Sequence, residues 1–164
     1  MRNRGVVLAF GALLPAVTAL AEPIYFLLVD LLPGTDLAAV ATLENVREWT
    51  KDETDFGEGV LRVESVLFGP SRRKVLRLTW RNPSTLICPR IDHNSQQGIR
   101  SLWLLTVHGE EGSVRADRHG GVISLTDRAA VRAAYESLAS APEAARDARY
   151  RAVRALLARQ VAEK

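Results

Sequence analysis

The spacing of apolar residues changes once along this chain, at Thr126, and that change limits the folds available to it. Before it, apolar and polar residues alternate, as at Leu76, Leu78 and Trp80, which are separated by single polar residues. Such alternation predicts strands with one face buried. After it, apolar residues recur every three or four positions, which predicts helices. Strands followed by helices indicate an α+β fold, in which a small antiparallel sheet or barrel precedes two C-terminal helices.

The strand-like segments are residues 37–46, 60–68, 75–80, 99–107, 114–116 and 122–125. The first of these carries apolar residues on both faces. Residues 49–59 are polar, acidic and rich in glycine, which predicts a loop or a long hairpin connection. Residues 81–98 contain two prolines and two asparagines. They predict an irregular connection between strands that is long enough to be functional.

Two helices are predicted after the strands. The first is capped by Thr126 or Asp127, and residues 140–142 end it because Pro142 cannot continue a helix. The second runs over residues 143–164. Its expected apolar stripe consists of Tyr150, Val153, Leu156, Leu157 and Val161.

The first 21 residues have the three parts of a secretory signal peptide. A basic start with Arg2 and Arg4 precedes an apolar run, and Ala-Leu-Ala at residues 19–21 matches the pattern that signal peptidase cuts. We expect cleavage after Ala21, export to the periplasm or beyond, and no membrane span in the mature chain. The alternative is an uncleaved inner-membrane anchor extended by residues 24–32. Cleavage would bring the net charge of +3 close to zero.

Cys88 is the only cysteine. No internal disulfide can form, so the hydrophobic core must stabilise the fold alone. His93 lies in the same loop, which leaves a thiol enzyme as an alternative function. A zinc site would need His108 or His119 as well, and these spacings are not those of structural zinc sites. We therefore expect no metal and no cofactor.

Three stretches together resemble exported bacterial members of the netrin-module or tissue-inhibitor-of-metalloproteinase class. Residues 60–69 are similar to a strand that ends in a V-x-x-V-hydrophobic-x-G turn. Cys88 follows the third strand, and residues 98–105 form a glycine followed by a very apolar strand. The resemblance spans roughly residues 37–125 and implies a five-stranded antiparallel OB-like β-barrel. Inhibitors of this class chelate zinc through an N-terminal cysteine, and Glu22 stands at that position here.

Arginines fall on or beside the polar side of the predicted strands, namely Arg62, Arg77, Arg81 and Arg115. OB-like barrels bind extended ligands on such faces, so these four residues are the predicted ligand-binding site. The alternative is a solvated face that Glu64, Asp117 and the acidic segment 49–59 neutralise.

These patterns predict a signal peptide (1–21), an OB-like domain (22–125) and a helical segment packed on or beside it (126–164). Arginine greatly outnumbers lysine and alanine is abundant, as in proteins from GC-rich bacteria. The predicted function is an exported, non-catalytic binding or protein-interaction module of the bacterial cell envelope. Its partner would be a protein or an acidic envelope ligand, and not nucleic acid, because the exported chain is nearly neutral. A small thiol enzyme using the Cys88–His93 loop and a protease inhibitor remain the alternatives.

Overall fold

The computed structural model describes residues 28–83, 91–109, 112–116, 121–141 and 147–163. It confirms an α+β fold with a sheet followed by two C-terminal helices. The strands are β1 (Leu37–Lys51), β2 (Thr54–Phe68), β3 (Val75–Pro83), β4 (Arg100–Val107), β5 (Ser113–Arg115) and β6 (Val122–Ser124). The helices are the four-residue α1 (Leu28–Leu31), α2 (Arg128–Ala139) and α3 (Ala148–Ala162), and short 3-10 turns occupy Leu32–Gly34 and Asn94–Gln96.

The sheet has six strands in the order β1-β2-β3-β5-β4-β6, and β1 also pairs with β4. The pairings of the first five strands therefore form a closed circuit. Strand directions cannot alternate around a circuit with an odd number of members, so one pair must be parallel. That pair is β3 with β5, where Leu78 lies opposite Val114. The prediction of a five-stranded, purely antiparallel sheet is wrong on both counts, because β6 adds a strand to β4 and β5 runs parallel to β3.

The first half of β1, residues 37–43, is buried on both faces, as its two-sided apolar pattern predicts. Successive side chains of a strand point to opposite faces, and here they enter two different apolar clusters. The sheet cluster contains Leu37, Ala39, Ala41, Leu43, Leu61, Val63, Leu76, Leu78, Trp80, Ile91, Trp103, Leu105, Val114 and Ala116. The helix cluster contains Ala38, Val40, Leu102 and Leu104 together with buried residues of α1, α2 and α3. Strands β1 and β4 therefore separate these two clusters.

Aspartates cap both C-terminal helices. The Asp127 carboxylate accepts hydrogen bonds from the backbone N–H groups of Ala129 (2.9 Å) and Ala130 (3.1 Å). Asp147 accepts one from the Arg149 N–H (2.8 Å), and the Arg149 guanidinium lowers the pKa of that carboxyl. Such caps satisfy donors that a helix start leaves unpaired. Residues 142–146 lie outside the described part, so the predicted start of the second helix is not placed.

The predicted apolar stripe of α3 is confirmed at Tyr150, Val153, Leu156 and Leu157, which are buried. It is wrong at Val161, which is 40% exposed. Val161 stands one residue before the end of α3, in a turn that contributes no residue to the helix cluster.

The acidic segment 49–59 is almost entirely strand, so its prediction as a loop is wrong. β1 continues to Lys51 and β2 begins at Thr54, which leaves Asp52 and Glu53 as the whole turn of the hairpin. Both turn residues have positive φ, 48° and 59°, the geometry whose twist matches the flanking strands. Asp-Glu is not one of the glycine-containing pairs that signal such a turn, which is why the sequence pattern missed it.

The predicted signal peptide lies outside the described residues, and its cleavage after Ala21 stays a prediction. The described chain begins at α1, a helix within the segment 24–32. Leu28, Leu31 and Leu32 are buried in the helix cluster, and the Tyr150 hydroxyl donates a hydrogen bond to the Val29 carbonyl at 2.8 Å. In the part of the chain that the structure describes, no helix has the length and apolar character needed to cross a membrane.

Candidate ligand-binding groove

A β-bulge in β1 decides which side chains reach the outer face of the hairpin. Glu44 pairs with Val60 and Arg47 with Glu58, so Asn45 and Val46 together oppose the single residue Gly59. Asn45 has a φ of 55°, in the left-handed region that asparagine tolerates better than most residues. One extra residue reverses the faces of everything that follows it in a strand. The bulge thereby puts Arg47 and Trp49 on the same face as Glu44.

Beyond the bulge, three side chains form a row across the sheet. Trp49 of β1 lies opposite Phe56 of β2, and Phe56 lies opposite Arg81 of β3. The two aromatic rings stack with centroids 5.8 Å apart and planes 14° apart. Neighbouring strands are about 4.8 Å apart, so the backbones of Trp49 and Arg81, two strands apart, are separated by about 10 Å. Trp49 is 45% exposed and Arg81 is exposed.

The next row on this face is charged. Arg47 lies opposite Glu58, Glu58 opposite Thr79, and Thr79 opposite Arg115 of β5. The Glu58 carboxylate forms ion pairs with Arg77 at 2.8 Å and with Arg47 at 3.6 Å. Glu58 is thus held between two guanidinium groups.

The two rows enclose a concave groove of about 390 Å³. We call it the basic groove, and it is lined by Trp49, Phe56, Gly57, Glu58, Arg77, Thr79, Trp80, Arg81, His108, Gly109, Ser113 and Arg115. Its described charged residues are three arginines and one glutamate. The aromatic pair lies at one end, and the groove is open to solvent, so the arrangement suits binding of an anionic molecule with a flat apolar part.

The structure brings together three of the four predicted binding residues. Arg77, Arg81 and Arg115 line the basic groove. Arg62 does not line it, and its guanidinium instead donates to Glu44 at 2.9 Å. The parallel pairing of β3 with β5 places Arg115 here, beside Thr79.

Of the predicted neutralising residues, Glu58 in the acidic segment 49–59 lies in the groove and pairs with Arg77, whereas Glu64 lies elsewhere. Both carboxylate oxygens of Glu64 accept hydrogen bonds from Arg100, at 2.5 and 2.7 Å. These bonds lower the pKa of Glu64 and raise that of Arg100. Asp117 lies outside the described residues. Within the described residues, Arg77 is paired with Glu58, whereas Arg81 makes no ion pair.

The bulge gives a first testable prediction. Replacing Asn45 with valine should lower the free energy of unfolding by about 1–2 kcal/mol, because a β-branched residue is strained at positive φ. Asn45→Gly should leave stability unchanged or raise it slightly. Urea unfolding of the two variants measures the difference. Equal stability of Asn45→Val and wild type would mean that the bulge is absent in solution.

His93 lies on the opposite side of the sheet from the basic groove. It is buried between the rings of Trp80 and Trp103, with centroid distances of 5.1 and 5.3 Å. Its Nε2 lies 2.8 Å from the Ala116 carbonyl oxygen. This histidine is packed into the sheet cluster.

The thiol alternative also needs Cys88, which lies outside the described residues, as does His119. That alternative therefore remains a prediction. Among the described residues, no group of three or more histidine, cysteine, aspartate or glutamate side chains is arranged to hold a metal ion.

Sequence patterns missed the aromatic pair. Trp49 and Phe56 fall in the segment predicted as a loop, so neither was a candidate. Their positions in the sequence could have indicated the pair. Trp49 lies three residues before the turn Asp52–Glu53 and Phe56 three residues after it, so a tight hairpin places them opposite each other. Recognising it depends on first identifying an atypical turn.

The chain matches no known protein-family model, and a search of curated proteins finds no significant relative.

Proposed function

We propose that this protein is an exported, non-catalytic binding module of the bacterial cell envelope that holds an acidic ligand in the basic groove. The observation that carries the proposal is the convergence of Arg77, Arg81 and Arg115 from two strands on one concave surface. Guanidinium groups bind carboxylates and phosphates with paired hydrogen bonds. Arg81 is exposed and makes no ion pair with the described residues, so it can meet a ligand anion directly.

We further propose that the five strands of the closed circuit form an OB-like barrel. The circuit of pairings supports this, as does an apolar cluster drawn from all five of these strands. OB-fold proteins bind extended ligands on the face of the second and third strands, between the loop joining the first two strands and the loop joining the last two. The basic groove has that location, with the β1–β2 hairpin at one end and residues near the β4–β5 connection at the other.

Export is part of the proposal and is supported by the pattern of residues 1–21. Its test is the intact mass of the protein recovered from periplasm or medium. A chain that starts at Glu22 agrees with export and cleavage, whereas a full-length chain in the membrane fraction would favour the anchor.

The binding proposal predicts that charge in the groove matters more than charge elsewhere on the sheet. Arg81→Gln should weaken binding of acidic polymers such as polyglutamate and polygalacturonate several-fold, because one charge-assisted contact contributes roughly 1 kcal/mol or more. The matched control is Arg62→Gln, which removes an exposed arginine outside the groove.

Titration calorimetry at two salt concentrations measures both variants. Non-specific attraction depends on net charge and would weaken equally in the two variants. Equal losses, or no binding of either polymer to wild type, would contradict the proposal.

A further inference from the structure

We infer that the ligand of the basic groove is an acidic glycan whose sugar rings stack on Trp49 while their carboxylates meet Arg81. This inference rests on the proposed function, since it names the chemical class of the ligand for the same groove. Its basis is the row Trp49–Phe56–Arg81, which presents an apolar flat surface on β1 and a cation on β3, two strands away.

The exposure of Trp49 indicates that a ligand ring can stack on its indole. Trp80 and Trp103 are 3% and 0% exposed, whereas Trp49 is 45% exposed. Phe56 supports one side of the indole in a nearly parallel stack, which holds the ring in one orientation. An oriented, partly exposed indole is a surface for a flat or ring-shaped apolar group, and it loses little side-chain entropy on binding.

A sugar acid matches both ends of the row. One face of a pyranose ring consists of C–H groups that pack against an indole, and the carboxylate of a uronate lies on the rim of the same ring. Arg81, two strands from Trp49, offers a guanidinium that can bind a carboxylate of the glycan through two hydrogen bonds. Polyglutamate carries the same charged group without a rigid apolar face.

Single-stranded nucleic acid also combines rings with anions, but the groove charge disfavours it. Glu58 lines the groove and is held between Arg47 and Arg77. Nucleic-acid affinity rises with the number of phosphates that the protein neutralises, and a carboxylate in the groove would oppose that. A uronate bound on Arg81, in the neighbouring row, avoids Glu58.

The test compares binding of four probes to the full chain: polygalacturonate fragments, polyglutamate of matched length, neutral dextran and an oligothymidylate. We expect polygalacturonate to bind at least about fivefold more tightly than polyglutamate and the other two to bind weakly. Trp49→Ala should raise the Kd for polygalacturonate about tenfold, the size of effect seen for one stacked ring. It should change the Kd for polyglutamate less than twofold.

Tryptophan fluorescence supplies a readout at the site. Because the other two tryptophans are buried, a change in acrylamide quenching on adding polygalacturonate reports on Trp49, and Trp49→Phe should remove that signal while keeping most of the affinity. Urea unfolding shows whether the variants are folded.

The outcomes separate the inference from the function on which it rests. Equal affinity for the two acidic polymers, with Arg81→Gln weakening both, would overturn the glycan and keep the basic groove as an anion site. Tightest binding of the oligothymidylate would also overturn the glycan and identify nucleic acid as the ligand. Losses that are the same for Arg81→Gln and Arg62→Gln would overturn the proposed function.

Discussion

Replacing Gly69 with alanine is expected to lower the free energy of unfolding by about 3 kcal/mol or more. Gly69 ends β2 with a φ of +114°, a conformation that costs other residues about 1–3 kcal/mol. A Cβ there would also stand 2.6 Å from the Asp36 carbonyl oxygen and 2.8 Å from the Leu37 Cα. Both atoms belong to the backbone at the start of β1, so no side-chain rotation relieves the overlap.

The control is Gly98→Ala, which separates strain from overlap. Gly98 also has positive φ, +76°, but nothing lies within 4 Å of a Cβ built there. We expect that variant to lose only about 1–2 kcal/mol. Urea unfolding of both variants measures the difference between their losses in the free energy of unfolding. Equal losses would show that β1 and the end of β2 are not in close contact in solution.

The second large effect is expected at Gly57, which lies opposite Trp80 across β2 and β3. A Cβ on Gly57 would stand 2.1 Å from the Trp80 Cε2 atom, so the indole occupies the place of a side chain. The ring is buried and packs edge-on against His93, which limits how far it can move. Gly57→Ala should therefore destabilise the fold by about 3 kcal/mol, near the upper end for overpacking.

Two further variants test whether overlap with the Trp80 ring causes this loss of stability. In Gly59→Ala the new Cβ would meet the Leu43 Cδ1 at 2.7 Å. That atom is the end of a flexible side chain, so we expect a smaller loss. Trp80→Leu should make Gly57→Ala less costly, with the double variant at least about 1 kcal/mol more stable than the sum of the single losses. Additive losses would rule out the contact as the cause.

Local patterns were sufficient for the parts of the fold that local physics controls. Alternation in β3 correctly predicted Arg77 on the outer face and Leu76 and Leu78 inside. Thr126 or Asp127 was predicted as the first cap, and Asp127 is the residue that accepts the free N–H groups. The period of α3 identified its four buried residues.

The candidate groove was only partly visible in the sequence, because its residues come from four strands. Arg77 was predicted on the polar face of β3, and Arg81 shares that face because the strand continues beyond its predicted end to Pro83. Arg115 joins them through the parallel pairing of β5 with β3, a contact between residues far apart in the chain. Arg62 obeys the same alternation rule, yet it pairs with Glu44 outside the groove.

By itself, then, the sequence determined the order of strands before helices and the faces of β3 and most of α3, since these depend on neighbours within a few residues. Tertiary structure decided the rest. The odd number of strands in the closed circuit required the parallel β3–β5 pair. The bulge at Asn45 reversed the faces beyond it, and the turn at Asp52–Glu53 extended the hairpin. Together the parallel pair, the bulge and the turn place Trp49 beside Phe56 and the arginines. An alternation pattern read along one strand could not have predicted this arrangement.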